Sequence, residues 1–176
     1  MTRSYKEIKS KLIDLLPLLL LFLISLNGSS IISLKIFSVN IHYILVYYWV
    51  LRNPAALGYG FIFLAGLIND VILGFPMGIS ALSLLVVAGT AAYVRVVTVR
   101  ITLINDWVSF IPAILFANFI YFISLHFSNY TIDYFYLFKH SVSTFVFYPI
   151  LWGLFSFILN LKRSWFYDRF FGNISK

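Results

Sequence analysis

The sequence predicts an all-α integral membrane protein of six helices, on three observations. Hydrophobic residues make up 61% of the 176-residue chain, aromatics 20% and charged residues only 11%, against about 25% charged in a soluble domain. Apolar stretches such as Leu15 to Leu26 show no alternation of period two; this excludes a transmembrane barrel and leaves helices as the spanning element. At about 20 residues per crossing plus loops, the length holds roughly six crossings and leaves no room for a separate soluble domain. Residues 1–176 therefore read as a single polytopic domain.

Each element follows from local signals. A basic tail, 1–11, carries Arg3, Lys6, Lys9 and Lys11 and precedes a first helix over 12–25. Pro17 lies near that helix's start, where a missing N–H is tolerated. Asn27 to Ser30 breaks the helix, and this reads as a turn after a first span rather than a signal-peptide cleavage site. The second helix, 39–51, covers only about 20 Å at roughly 1.5 Å per residue, against about 30 Å of hydrocarbon. It must be sheltered by neighbours or lie where the bilayer is thinned.

Arg52-Asn53-Pro54 ends that helix, because the residue before proline is biased away from helical geometry, and forms a link on the cytoplasmic side. The third helix spans 57–74. Gly74-Phe75-Pro76-Met77-Gly78 is a tight uncharged turn into a fourth helix, 79–97. A fifth helix, 107–127, has Asp106 as its predicted N-cap and Pro112 in its first turns. The sixth, 138–161, contains Pro149, which predicts a kink, and leads into a second basic tail, 162–176.

The formal net charge is +7, and in a polytopic chain a basic excess reports orientation rather than nucleic-acid binding. With the N-terminus cytoplasmic, all but Lys35 and Lys139 of the 13 Lys and Arg residues fall inside. Both termini are then cytoplasmic, and Trp107, Trp165 and Tyr167 lie near the inner interface, where amphipathic rings are favoured. The absence of cysteine is compatible with either side of the membrane.

Asn69 and Asp70 stand side by side inside the apolar run 61–84 and are the most informative pair in the chain. An ionised carboxylate at hydrocarbon depth costs roughly 2.5 to 3.5 kcal/mol on insertion scales, so its neighbours must satisfy it. Two readings stand open: a polar joint between helices, with Asn69, Ser80 or Ser83 as partners, or a partner or ligand site. A proton path is disfavoured, because relays need chains of titratable groups and this reading places no other acid in the bundle core.

Small residues predict close helix contact on the third and fourth helices: Gly60, Gly66, Gly78, Ala81, Ala88, Gly89 and Ala92, with Ala81, Ala88 and Ala92 sharing a face. They serve packing within the bundle or a groove for a partner helix. His42, His126 and His140 lie towards the outer ends of their helices but have no metal-ligand spacing. Tyr43, Tyr47, Tyr48 and Trp49 read as packing and interface anchors. No P-loop, G-x-S-x-G, H-E-x-x-H or dinucleotide turn occurs, so nothing in the sequence argues for catalysis.

The stretch LVYYWVLRNP, Leu45 to Pro54, followed by Gly60, Gly66, Asp70, Gly74, Pro76, Gly78 and Ala81–Leu82, resembles the bacterial rod shape-determining MreD family over about 40 residues. The rest of the chain agrees only in length, helix number and hydropathy. The resemblance implies a non-enzymatic, multi-pass scaffold of the bacterial inner membrane, without cofactor or metal. Such a subunit belongs to the elongation complex that directs lateral peptidoglycan synthesis and cell shape. Its implied partners are the single-pass periplasmic scaffold MreC, MreB filaments, RodA and a class B penicillin-binding transpeptidase, besides membrane lipid. Recognition of MreC is expected on intramembrane surfaces around the second to fourth helices.

The resemblance also implies a fold similar to the substrate-binding subunits of energy-coupling-factor vitamin transporters, and with it an alternative function as a small-molecule transporter component. Those subunits resemble one another in docking through alanines on the first helix. Leu12 to Leu26 contains none, a departure that weighs against this alternative.

Overall fold

The structure, a computed structural model, describes residues 15–27, 33–34, 37–98, 102–128 and 134–170. Six helices succeed one another: α1 Leu15–Leu26, α2 Ile41–Arg52, α3 Tyr59–Leu73, α4 Ile79–Val97, α5 Leu103–Phe127 and α6 Tyr134–Phe170. Between α1 and α2 a two-residue ribbon pairs β1, Ser33–Leu34, antiparallel to β2, Phe37–Ser38. A single 3-10 turn, Pro54–Ala56, links α2 to α3. The expected tail 1–11 and the last residues, 171–176, of the expected tail 162–176, together with Lys35 and Arg100, lie outside the described residues.

The distribution of polarity is that of a bundle in an apolar solvent. Large apolar side chains point outward all along the helices, among them Phe61, Leu64, Leu82, Leu115, Phe119, Ile150 and Phe157, while Ser25, His42, Asn69, Asp70, Ser80, Ser83, Asp106, Ser143 and Thr144 are buried. Water would penalise that arrangement and lipid favours it, because lipid offers polar groups no partners. Among the described residues three helical stretches are long and apolar enough to cross a bilayer: α4, α5 and Leu137–Asn160 within α6.

α2 is the core of the molecule. Its 12 residues fall short of the full hydrocarbon thickness, and every side chain from Ile41 to Leu51 is buried. α4, α5 and α6 pack against it. Tyr47 meets Phe110 at a ring separation of 4.9 Å, Phe110 meets Tyr148 at 4.6 Å, and Tyr48 meets Phe155 at 5.4 Å. The aromatic run of α2 is thus packing; of the four rings named in it, none sits at the surface as an anchor.

α4 runs between α2, α3 and α5, and its small residues divide by face. Ala81, Ala88 and Ala91 are fully buried, and Ala92 is half-buried. Gly60 on α3 and Gly89 on α4 face outward, with open space where a Cβ would sit.

Two helices begin earlier than the sequence indicates. α5 starts at Leu103 because the Thr102 side chain accepts the N–H of Asn105 and caps it. Asp106 therefore sits in the first turn with its side chain free for tertiary contacts, and Pro112 falls in the helix interior rather than its first turns. α6 starts at Tyr134 and continues past residue 161 to Phe170. Its last residues are backbone-helical where a tail was expected; the side chains of Trp165 and Tyr167 lie outside the described part.

Candidate functional site

Asp70 ties α3 to α4. The C-terminus of α3 closes in a Schellman motif: Gly74 adopts φ 68°, its N–H reaches the Val71 carbonyl at 3.3 Å, and the Phe75 N–H reaches the Asp70 carbonyl at 3.0 Å. The chain then reverses through Pro76 and Gly78, and Gly78 has φ 106°. Both glycines supply a left-handed backbone that other residues rarely adopt. The reversal brings the start of α4 over the Asp70 side chain. Oδ2 accepts the Gly78 N–H at 2.8 Å, and Oδ1 accepts the Ser80 N–H at 2.8 Å.

The carboxylate is fully buried and satisfies two of the backbone donors that a helix N-terminus leaves open. It also places negative charge at the positive end of the α4 dipole. One residue thus closes the end of α3 through its carbonyl and caps α4 through its carboxylate.

Gly66, one turn earlier on α3, sets the distance. A Cβ at Gly66 would stand 2.6 Å from the Ala81 nitrogen and 2.9 Å from the Ala81 Cβ, and would overlap the Ala81 Cα. Only glycine lets α3 come this close to the α4 backbone. Asn69 adds a side-chain link: its Nδ2 donates to Ser80 Oγ at 3.0 Å, and Ser83 Oγ donates to the Ser80 carbonyl at 2.9 Å.

A second buried acid lies at the opposite end of the bundle. Asp106 on α5 accepts two hydrogen bonds at Oδ2, from Arg52 Nη2 at 2.9 Å and from the Trp152 indole at 3.0 Å. The Arg52 guanidinium also stands over the rings of Tyr48 at 5.6 Å and Trp152 at 5.3 Å. Nearby, Trp107 donates to the Phe145 carbonyl at 2.9 Å, and Tyr47 donates to Ser109 Oγ at 3.0 Å. Asp70 is therefore not the bundle's only buried acid. Asp106 is 1% exposed and joins α2, α5 and α6; Arg52 is an internal partner as well as a link residue. The sequence signal was faint, since a contact between residues 54 apart has no periodicity to betray it.

At the Asp70 end, where α2, α4 and α6 begin and α3 and α5 end, the helices line a half-open cavity of about 180 Å³. Its polar lining includes Asn40, His42, Asn69, Ser83, Asn118 and His140. His42 Nε2 is 2.9 Å from Ser25 Oγ, Asn118 Nδ2 donates to Ser141 Oγ at 2.6 Å, and the Asn40 N–H donates to Thr144 Oγ1 at 2.9 Å. His126 is exposed and stacked on Phe122, and it is not part of the cavity lining that His42 and His140 share. Among the described residues no three His, Cys, Asp or Glu side chains gather where a metal could sit.

Of the residues singled out in the sequence, Asn69, Asp70, Gly66, Gly74, Gly78 and Ala81 are brought together at the α3–α4 joint. Pro76 is exposed within the turn, Pro54 opens the 3-10 link, and Gly60 lies outside the joint. Asn40, Asn118 and Trp152 were not anticipated. Asn40 caps a helix, Asn118 is a polar residue within α5 and Trp152 is an amphipathic ring, all common in such a chain. Comparison with family models, curated proteins and solved structures gives no match to this chain.

Proposed function

We propose that this chain is a non-enzymatic scaffold subunit of the bacterial inner membrane, similar to MreD, acting in the complex that directs lateral cell-wall growth. In this reading it crosses the membrane six times with both termini cytoplasmic, and it links MreC, MreB filaments, RodA and a class B transpeptidase.

One observation carries the reading. Gly66, Asp70, Gly74 and Gly78, which carry much of the resemblance, are the residues whose backbone or side chain builds the α3–α4 joint. Both buried acids are engaged in interhelical hydrogen bonds, which suits a protein whose working surface is a rigid set of helix faces.

The partner surface is narrower than the second to fourth helices. α2 is wholly enclosed and offers no face to another helix. The outward faces of α3 and α4 remain, bearing Phe61, Leu64, Leu82 and Tyr93 together with Gly60 and Gly89, where a neighbouring helix can approach closely.

Depletion of the protein in its native host, with fluorescent labelling of newly inserted wall, tests the role. The expected outcome is loss of elongated shape and of lateral insertion; unchanged shape and labelling would contradict it.

A further inference from the structure

α6 is longer than a bilayer is thick. Its 37 residues measure about 55 Å at roughly 1.5 Å per residue, against about 40–45 Å of bilayer with its headgroups. The stretch long and apolar enough to cross is Leu137–Asn160, so the excess lies almost wholly at the C-terminal end, in residues 161–170. These add about 15 Å of helix. They read LKRSWFYDRF, and Ser164, Trp165, Phe166, Tyr167, Asp168 and Phe170 are only modest helix formers. A short helical stretch of that composition draws its stability chiefly from what it lies against.

Helical register sorts these residues. Lys162, Arg163, Phe166, Arg169 and Phe170 recur at spacings of three, four and seven, and so share one stripe of the helix. Ser164 and the acid, Asp168, fall on the opposite side, and Trp165 and Tyr167 flank the stripe. Retention of Lys and Arg on one side of the membrane sets orientation only; it does not require cations and rings to share a helix face with the acid turned away. Three cations and two aromatic rings in one stripe suit the boundary between anionic headgroups and acyl chains, where the cations meet phosphate and the rings are favoured.

We propose that the stripe from Lys162 to Phe170 binds the headgroups of anionic phospholipid and holds the end of α6 against the membrane surface. An upright helix carries Arg169 and Phe170 beyond the headgroups. A helix inclined from Pro149 onward keeps the whole stripe among them, and an interior proline is where a helix bends. Each cation near an anionic leaflet strengthens association about fivefold. A zwitterionic headgroup, whose own cation offsets its phosphate, forfeits most of that gain. Lipid binding here needs no protein partner, so it holds or fails separately from the scaffold reading.

The test titrates the full chain in detergent with phosphatidylglycerol or phosphatidylcholine and counts bound lipids by native mass spectrometry. The wild type is expected to bind phosphatidylglycerol about tenfold or more tightly than phosphatidylcholine, a comparison that needs no variant to fold. Lys162→Gln, Arg163→Gln and Arg169→Gln together are expected to weaken phosphatidylglycerol binding about tenfold or more. A permuted chain, with Lys162→Ser, Ser164→Lys, Asp168→Arg and Arg169→Asp, keeps composition and net charge but moves two cations to the opposite side of the helix; its binding is expected to be about threefold weaker or more. No preference for phosphatidylglycerol, undiminished binding in the glutamine variant, or binding in the permuted chain equal to wild type would overturn the proposal. The last result would show that charge alone, without the stripe, attracts the lipid.

Discussion

Asp70 shows how one side chain can make an apolar run foldable at a turn. Asn at this position keeps the shape but sets an N–H2 against one of two backbone donors, and Leu leaves both without an acceptor. We expect Asp70→Asn to cost about 1–3 kcal/mol and Asp70→Leu about 2–4 kcal/mol. Thermal unfolding in micelles should rank wild type above Asn above Leu, and equal midpoints would rule out the cap. Gly66→Ala should be destabilising by about 1–3 kcal/mol, as overpacking usually is. Ala81→Gly should not rescue it, because the added Cβ meets the Ala81 backbone and not only its methyl group. Gly60→Ala, whose Cβ would meet nothing, is the matched control and should be neutral. The importance of Asn69 and Asp70 was legible from their place in the run 61–84. Which donors Asp70 takes was not, since the reversal at Gly74 and Gly78 decides it.

At the scale of elements, the Arg52–Asp106 pair holds α2 against α5, and Trp152 adds α6. Removing one partner strands the other's charge in a site with little water. Arg52→Ala should therefore destabilise by about 2–3 kcal/mol, whereas in an Asp106→Asn background the same change should cost distinctly less. A double-mutant cycle on unfolding midpoints measures the difference, and additive effects would show that the pair is not coupled. Helix existence was legible because apolar length is a strong signal: the six segments read from the sequence correspond to α1 to α6. Helix starts were less so. Thr102 competes with Asp106 as the cap of α5, and either residue type is good at that position; the reach of Arg52 to Asp106 settles which one serves elsewhere. The enclosure of α2 was foreshadowed by its length, since a helix of about 20 Å cannot face lipid along a whole crossing.

At the scale of the whole molecule, polar groups turn inward and apolar ones outward, and the faces of α3 and α4 carry the account of partner binding. Their association would be driven by close packing rather than by hydrophobic exclusion, so shape at Gly89 matters more than polarity. Gly89→Leu fills open space outside the bundle and should leave the unfolding free energy unchanged or raise it by up to about 1 kcal/mol, since leucine is the better helix former, while disturbing a helix docked there. The cavity at the Asp70 end was not legible in the sequence, because it is assembled from residues as distant as Asn40 and His140.

The most direct measurement is affinity purification of a tagged copy from its native membrane in mild detergent, with co-purifying proteins identified by mass spectrometry for wild type and Gly89→Leu. The account predicts recovery of a single-pass periplasmic scaffold together with wall-synthesis enzymes, and less of that scaffold with the variant. Recovery of ATPase subunits and a coupling subunit instead, or of no wall-synthesis protein at all, would contradict it.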